Sequence, residues 1–368
     1  MAKRELDPRL KELYRKGAKV YSISKLNALD GCLREAYFSY RDEEKPPRAK
    51  SIYGIMGGEI HEVLEGIYNN ECGSDALLPA LNKELQDAEM IGVDFPKDFK
   101  GGTMIRDNWI ADMTHFCNHF EMLEGDKFTT EELVLYQFGE NQYMQGYIDL
   151  IVQPDAANEK IVDIIDFKTS TKFKKDDLTH HGRQLVFYGA AMAALGYEIR
   201  RVGWVMLKYV KVTFDGYARS NSKNKTTMEK VIQRSKLAKE LEKYVEQELY
   251  EAGYEEIDVE IYLEEFRQKN DLAVLPEAVR ELFNVEQYVE YYDYNEETIA
   301  ETMDYIKTRA DKFEELWDKP KSEWTPVTID DKNSFYCNNL CSHREHCEEL
   351  KKYNDLRALL QIDEEDLF

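Results

Sequence analysis

Two acids and a lysine between residues 146 and 168 have the types and spacing to hold a cation. Asp149 lies in the apolar run Gly146-Tyr147-Ile148-Asp149, and Ile164-Ile165-Asp166-Phe167-Lys168 closes a second run. Stretches 146–152 and 161–168 have the Val, Ile, Leu and Phe content of buried strands, and polar residues around Asn158 mark a turn, so they predict a hairpin. Residues i and i+2 of a strand share a side. Asp166 and Lys168 therefore share a face, with Asp149 across from them. Two carboxylates there suit a hard divalent cation such as Mg²⁺ or Mn²⁺, which prefers carboxylate and water oxygens. An Asp-x-Lys triplet is common on solvated strands and means little alone. Here Ile164, Ile165 and Phe167 argue for a buried strand, where charges are rarely left unpaired.

The cysteines form a second group with metal chemistry. The chain has Cys32, Cys72, Cys117, Cys337, Cys341 and Cys347, the last three within eleven residues. Clustered thiols in a reducing compartment point to metal, and three want a fourth ligand. Cys32 is the leading candidate, which would staple the two ends of the chain; His343 and His346 keep a local fourth ligand open. A four-cysteine set serves an iron–sulfur cluster or Zn²⁺. Cys117 sits between His115 and His119, but neighbours Trp109, Phe116 and Phe120 favour a packed helix over a metal pair. Cys72 reads as a plain loop thiol.

The elements that must carry these groups follow from periodicity. Residues 5–18 predict a basic amphipathic helix, and Ser24 a helix N-cap for a segment running through Tyr40 and enclosing Cys32. A helix after Gly57-Gly58 puts His61 and Glu65 on one face. Residues 75–125 look mostly helical, loosening near 92–102. Strands are expected at 132–138, 143–152, 161–168 and 201–210, with a helix at 182–196 placing Gln184 and Tyr188 one turn apart. This is an α/β pattern on a mixed central sheet flanked by helices. Residues 215–226 read as a polar loop, 227–252 and 296–318 as long helices, and 258–266 and 288–294 as either type.

Across 368 residues the net charge is −23, which argues against a simple nucleic-acid coat protein. The charge is segregated. Residues 1–50 carry 13 Lys and Arg against 8 Asp and Glu, residues 158–239 carry 17 against 8, and residues 240–318 carry 7 against 25. Basic segments around the candidate site are compatible with a polyanionic substrate. No leader-like apolar stretch and no run near the ~20 residues of a membrane span is visible, so a cytoplasmic protein is expected. No Gly-x4-Gly-Lys-Ser/Thr is present, so the chain is not itself an ATP-driven helicase.

The ordered set His61, Asp149, Asp166-x-Lys168 and Gln184-x3-Tyr188 resembles the PD-(D/E)XK nuclease superfamily in its RecB-like branch. Cys32 with Cys337, Cys341 and Cys347 makes it look like the iron–sulfur subset, which includes CRISPR-adaptation nucleases, the AddB nuclease domain, the nuclease domain of the eukaryotic replication helicase-nuclease and exonuclease V. The stretch from Ser22 to Phe38 is similar to that subset's N-terminal cysteine motif. The likeness covers about residues 20–210 and 320–350. It departs in having Cys-x3-Cys where Cys-x2-Cys is expected, and Asp166 where many relatives carry Glu.

The resemblance implies a restriction-endonuclease-like core in residues 1–210 and a C-terminal cysteine-rich metal-cluster segment, 319–368, packing back on the core; the acidic, mostly helical 211–318 reads as an insertion whose 227–318 lies outside the likeness. It implies Mg²⁺ or Mn²⁺ on Asp149, Asp166, His61 and the Phe167 carbonyl. Lys168 would position or help deprotonate water, and Gln184 and Tyr188 would hold the lysine or the DNA backbone. Cys32, Cys337, Cys341 and Cys347 would carry a [4Fe-4S] cluster, with Zn²⁺ the alternative. Lys172, Lys174, Lys175 and Arg183 would contact phosphates, and Tyr21 and Tyr53 would stack on unpaired bases. The implied activity is a single-stranded DNA exonuclease in recombination, replication, repair, phage DNA metabolism or CRISPR adaptation, acting alone or with a helicase or recombination partner. The alternative is an inactive nuclease-like DNA-binding or scaffold subunit with a structural metal centre.

Overall fold

The apolar run at 161–168 forms the central strand of the molecule. The computed structural model describes residues 6–42, 45–98, 101–217 and 224–365. In chain order the N-terminal part runs α1 Pro8–Arg15, β1 Lys19–Tyr21, α2 Ile23–Asn27, α3 Leu33–Ala36, α4 Ile52–Tyr68, α5 Leu77–Met90 and α6 Met104–Asn118. The middle follows with β2 Lys127–Gly139, β3 Gln142–Gln153, β4 Ile161–Lys168, α7 Leu178–Ala194, β5 Glu198–Gly216 and β6 Thr226–Gln233. The rest is α8 Leu237–Glu251, α9 Glu256–Lys269, α10 Glu277–Arg280, β7 Asn284–Tyr292, α11 Glu296–Trp317 and α12 Glu348–Glu365.

Seven strands make one mixed sheet. β3 pairs antiparallel with β2 and β4 and parallel with β1. β4 pairs parallel with β5, which pairs antiparallel with β6 and β7. Helices α4, α5 and α6 cover the face bearing Leu150, Val152, Ile165, Phe167, Val205 and Leu207. The opposite face, with Ile148, Ile164, Trp204 and Met206, lies under α2, α7 and α11. Because both faces are covered, β4 is nearly continuous in apolar residues rather than alternating. The α/β mixed sheet flanked by helices expected from the sequence is present, in the arrangement of a restriction-endonuclease-like core. Among the described residues no helix is long and apolar enough to cross a membrane.

Three local expectations are corrected. Ser24 is not the N-cap: the Ser22 hydroxyl accepts from the Lys25 N–H at 3.2 Å. The helix it starts stops at Asn27, because Asp30-Gly31 are poor helix formers, and Cys32 becomes the N-cap of α3 rather than a mid-helix residue. Residues 226–233 are a strand, not the start of a helix. The Thr, Val and Ile of that stretch suit an extended chain, and pairing with Tyr209–Gly216 of β5 overrides its helix-forming Met, Glu and Lys. The expected helix begins only at Leu237. The expected polar loop at 215–226 begins inside β5, and its residues 218–223 lie outside the described ones. Of the two ambiguous segments, 258–266 is helical in α9 and 288–292 is strand in β7.

Two buried contacts fix the hairpin. Asp163 of β4 is 2% exposed. Arg200 Nε and Nη2 reach its oxygens at 2.7 and 2.5 Å, and Arg201 Nη2 at 2.6 Å. Burial pushes this carboxyl up, but the two guanidiniums outweigh burial and leave it below its ordinary value. Gly146 of β3 seats Tyr188 of α7: a Cβ there would stand 2.4 Å from the ring.

Each contact has a measurable consequence. Asp163 contributes stability above its unfolded pKa of ~3.9, and the contribution is lost as pH falls through its lower folded value. Asp163→Asn should melt below wild type at neutral pH, with the gap closing as pH falls below the ordinary carboxylate range; a pH-independent gap would contradict the pairing. Gly146→Ala should cost about 1–3 kcal/mol in urea unfolding, as overpacking does. Added to Tyr188→Ala, it should cost almost nothing more.

Candidate active site

The hairpin brings the two acids together at the end of β4. The ladder pairs Leu150 with Ile165, so Asp149 comes level with Asp166. The Phe167 N–H donates to Asp149 Oδ2 at 2.9 Å. Lys168 Nζ lies 2.5 Å from Asp166 Oδ2 as an ion pair. His61, two turns into α4 from Tyr53, places Nδ1 3.4 Å from Asp149 Oδ2. Its ring packs edge-on against Phe167, and a backbone hydrogen bond with Phe167 favours its protonated form. Gln184 Nε2 donates to the Tyr188 hydroxyl at 2.8 Å. Tyr188 is 4% exposed beneath Gly146, so this pair lies behind the acids rather than in the open site.

Burial sets the electrostatics. It pushes the Asp149 carboxyl well above the ordinary range, and the charge of Asp166 adds to the shift. Burial lowers Lys168, but the attraction of Asp166, and then of Asp149, overrides it and raises the ammonium. Burial lowers His61, partly opposed by Asp166. A neutral imidazole keeps a nitrogen lone pair free to ligate.

Glu131 was not singled out by the sequence. It lies in β2 between the ladder pairs Thr130–Leu150 and Glu132–Ile148, level with Asp149. Its φ is +50°, a left-handed value within a strand that costs about 1–3 kcal/mol. Its charge acts on Asp149, His61 and Tyr188. Glu in a Thr-Thr-Glu-Glu strand carries no signal of this; only the backbone outlier does.

The donor set fits a hard cation. It consists of carboxylates, a backbone carbonyl and one imidazole, and the buried Asp166 Oδ2 faces Lys168 Nζ at 2.5 Å. The donors are turned onto one another. Among the described residues no group of three or more His, Cys, Asp or Glu side chains is arranged to hold a metal ion.

The same holds for the cysteines. Cys32, Cys337, Cys341 and Cys347 are free and half-buried. Burial raises Cys337, and Cys32 and Cys347 add to it. Burial pushes Cys341 up to about 12, helped by Glu35, Cys32 and Cys337. The four thiols therefore share one neighbourhood, though among the described residues they are not drawn together as a ligand set. The two ends of the chain do meet at this point. The Tyr336 hydroxyl lies 3.1 Å from both Glu35 oxygens, the Ala49 N–H donates to the Ser342 carbonyl at 2.7 Å, and Arg34 Nε donates to the Trp324 carbonyl at 3.0 Å. His343 is buried with Nε2 2.9 Å from Ser39 Oγ, whereas His346 is exposed.

Several other candidates are used internally. Tyr21 is 1% exposed and bonded to Glu314, so it is core and not a stacking surface. Tyr53 is half-buried against Phe95. Arg183 stacks on Tyr305 and pairs with Asp30 at 3.4 Å; Lys172 faces Tyr288 and Glu290. Lys174 and Lys175 are exposed. His115 faces Arg234 at 3.1 Å and His119 faces Asp271 at 3.0 Å, the packed arrangement expected of that helix. Cys72 is an exposed thiol.

A comparison with curated proteins gives no match. A family model described as the PD-(D/E)XK nuclease superfamily matches residues 20–348, a span holding His61, the hairpin acids, Lys168 and all four candidate cluster cysteines. The chain belongs to the PD-(D/E)XK nuclease superfamily, a family of metal-dependent nucleases.

Proposed function

We propose that this nuclease is a deoxyribonuclease of the RecB-like iron–sulfur branch that degrades single-stranded DNA from an end. The observation that carries the reading is the contrast between two buried acids on one strand. Asp163 is fully neutralised by two arginines, whereas Asp166 and Asp149 together have one lysine, which meets Asp166 Oδ2 at 2.5 Å. A structural acid is satisfied; an acid left partly satisfied beside a second acid is placed for a ligand.

Asp149, Asp166, His61 and the Phe167 carbonyl are the residues that would hold Mg²⁺ or Mn²⁺. When bound, the cation supplies an activated water and neutralises phosphate oxygens. Lys168, kept charged by Asp166, offers its ammonium to the charge that builds on the phosphate. Gln184 and Tyr188 act as positioning residues: the ring fills the space over Gly146 and fixes the β3 backbone three residues ahead of Asp149. Lys174 and Lys175 are free to meet phosphates, each such contact steepening the salt dependence by about 0.7 for a single strand.

The four cysteines are proposed to carry a [4Fe-4S] cluster, with zinc the alternative. Their mutual reach at the meeting of the two chain ends supports a shared metal. Burial holds the Cys337 and Cys341 thiols protonated, so loading would release protons from them.

Asp166→Ala and Lys168→Ala should each cut Mg²⁺- or Mn²⁺-dependent release of nucleotides from end-labelled single strands by about a hundredfold or more. Their melting curves should stay cooperative, and full activity in both would remove the site. Circular single strands should resist; cleavage of circles at the linear rate would rule out the exonuclease. Anaerobically purified protein should be brown with broad visible absorption that Cys32→Ala bleaches. Colourless protein containing one zinc would reverse the assignment.

A further inference from the structure

β5 has an opening along one edge. β4 pairs with it as far as Met206, and β6 takes over at Tyr209. Leu207 and Lys208 lie in the interval. The Leu207 carbonyl is taken by Arg234 Nε at 2.8 Å. Lys208 has no such partner. It is 6% exposed, and among the described residues its ammonium makes no hydrogen bond or ion pair. Asp112 is the charge that acts on it, but both Asp112 oxygens are occupied, by Gln233 Nε2 and the Ser235 N–H, each at 2.7 Å. The ammonium keeps what exposure it has in a cavity, and so confined it is stabilised when an anion meets it there.

Lys208 lines a cavity of about 620 Å³, within the range of small-ligand sites. The other walls are Thr169, Ser170 and Thr171, which follow Lys168 directly, with Tyr53, Trp109 and Phe335. Among the described residues the buried Trp109 indole N–H has no acceptor. The cavity and the acids lie along one track. Tyr53, Gly57 and His61 recur every four residues on one side of α4. Gly57 lets that side approach Thr169, whose Oγ1 would stand 3.4 Å from an added Cβ. Tyr53 is eight residues from His61, about 12 Å along the helix.

One cation, three hydroxyls and aromatic walls with a free donor are what a nucleotide needs: charge and hydroxyls for the phosphate, rings for the base. We propose that this cavity holds one nucleotide of the DNA strand beside the bond to be cut, with its phosphate on Lys208 and its base among Tyr53, Trp109 and Phe335. The inference rests on the nuclease reading for its purpose, but its binding test does not require cleavage.

The test titrates full-length protein with dAMP, inorganic phosphate and deoxyadenosine by calorimetry, without divalent cation. dAMP should bind more tightly than either fragment. Lys208→Met should weaken dAMP by about tenfold or more, the loss of a charge-assisted bond, while Lys208→Arg retains most of the affinity. Phe335→Ala, at a partly exposed site that threatens folding least, should weaken dAMP by about fivefold or more but leave phosphate unchanged. Asp166→Asn should leave dAMP binding intact. No dAMP binding by wild type, equal affinity in Lys208→Met, or phosphate binding as tightly as dAMP would overturn the nucleotide pocket. So would loss of binding in Asp166→Asn alone, which would put the nucleotide on the acids. Lys208-dependent dAMP binding in a chain that cuts no DNA would keep the pocket and sink the nuclease reading instead.

Discussion

Asp149 and Asp166 are held level with each other where the antiparallel pairing of β3 and β4 ends, largely out of water. Two like charges so placed repel, and each also loses hydration. The surroundings answer this cost. The Phe167 N–H meets Asp149 at 2.9 Å, Lys168 meets Asp166 at 2.5 Å, and His61 approaches from α4. One ammonium between two carboxylates does not neutralise them, and Glu131 adds a third acid to the field. That deficit of positive charge is the property a divalent cation would correct. It explains why the hairpin, α4 and α7 must all be rigidly seated.

The seating comes from packing rather than from the charges. β4 is buried on both faces, so its register is fixed by apolar contacts with α4–α6 on one side and α7 with α11 on the other. Asp163 shows what the same strand does with a charge that only needs to be stable. Two guanidiniums, set by consecutive residues of β5, close over it completely. Charge pairing differs sharply within three residues of one strand: two guanidiniums on Asp163, one ammonium for Asp166 and Asp149 together.

Much of this was legible in the sequence, for physical reasons. A strand buried on both faces must be apolar throughout, so the hairpin and its out-of-place acids stand out. The four-residue spacing of Gln184 and Tyr188 survives because helical periodicity is local. Part of what failed depended on distant partners. Residues 226–233 carry mixed propensities, and the long β5 decides their state by pairing with them. The helix expected to enclose Cys32 is shorter for a local reason: it stops at Asn27, ahead of Asp30-Gly31, and its cap is Ser22 rather than Ser24. Tyr21 has the composition of a stacking residue and is instead sealed against Phe313 and Glu314. Glu131 escaped notice because its only distinction is a positive φ, which no residue type announces.

The terminal segments complete the argument. They carry neither hairpin acid, yet Cys32 and the 337–347 stretch meet, joined by bonds such as Tyr336 to Glu35 and Ala49 to Ser342. Each such bond contributes on the order of 1 kcal/mol net. Together they close a loop enclosing most of the chain, and closure entropy grows only slowly with loop length. A few weak bonds can therefore hold the junction, and a metal shared by four half-buried thiols would lock it far more firmly. Phe335 lies two residues before Cys337 and walls the cavity beside Thr169 and Lys208. The junction that closes the chain thus supplies one wall of the cavity that Thr169 and Lys208 line.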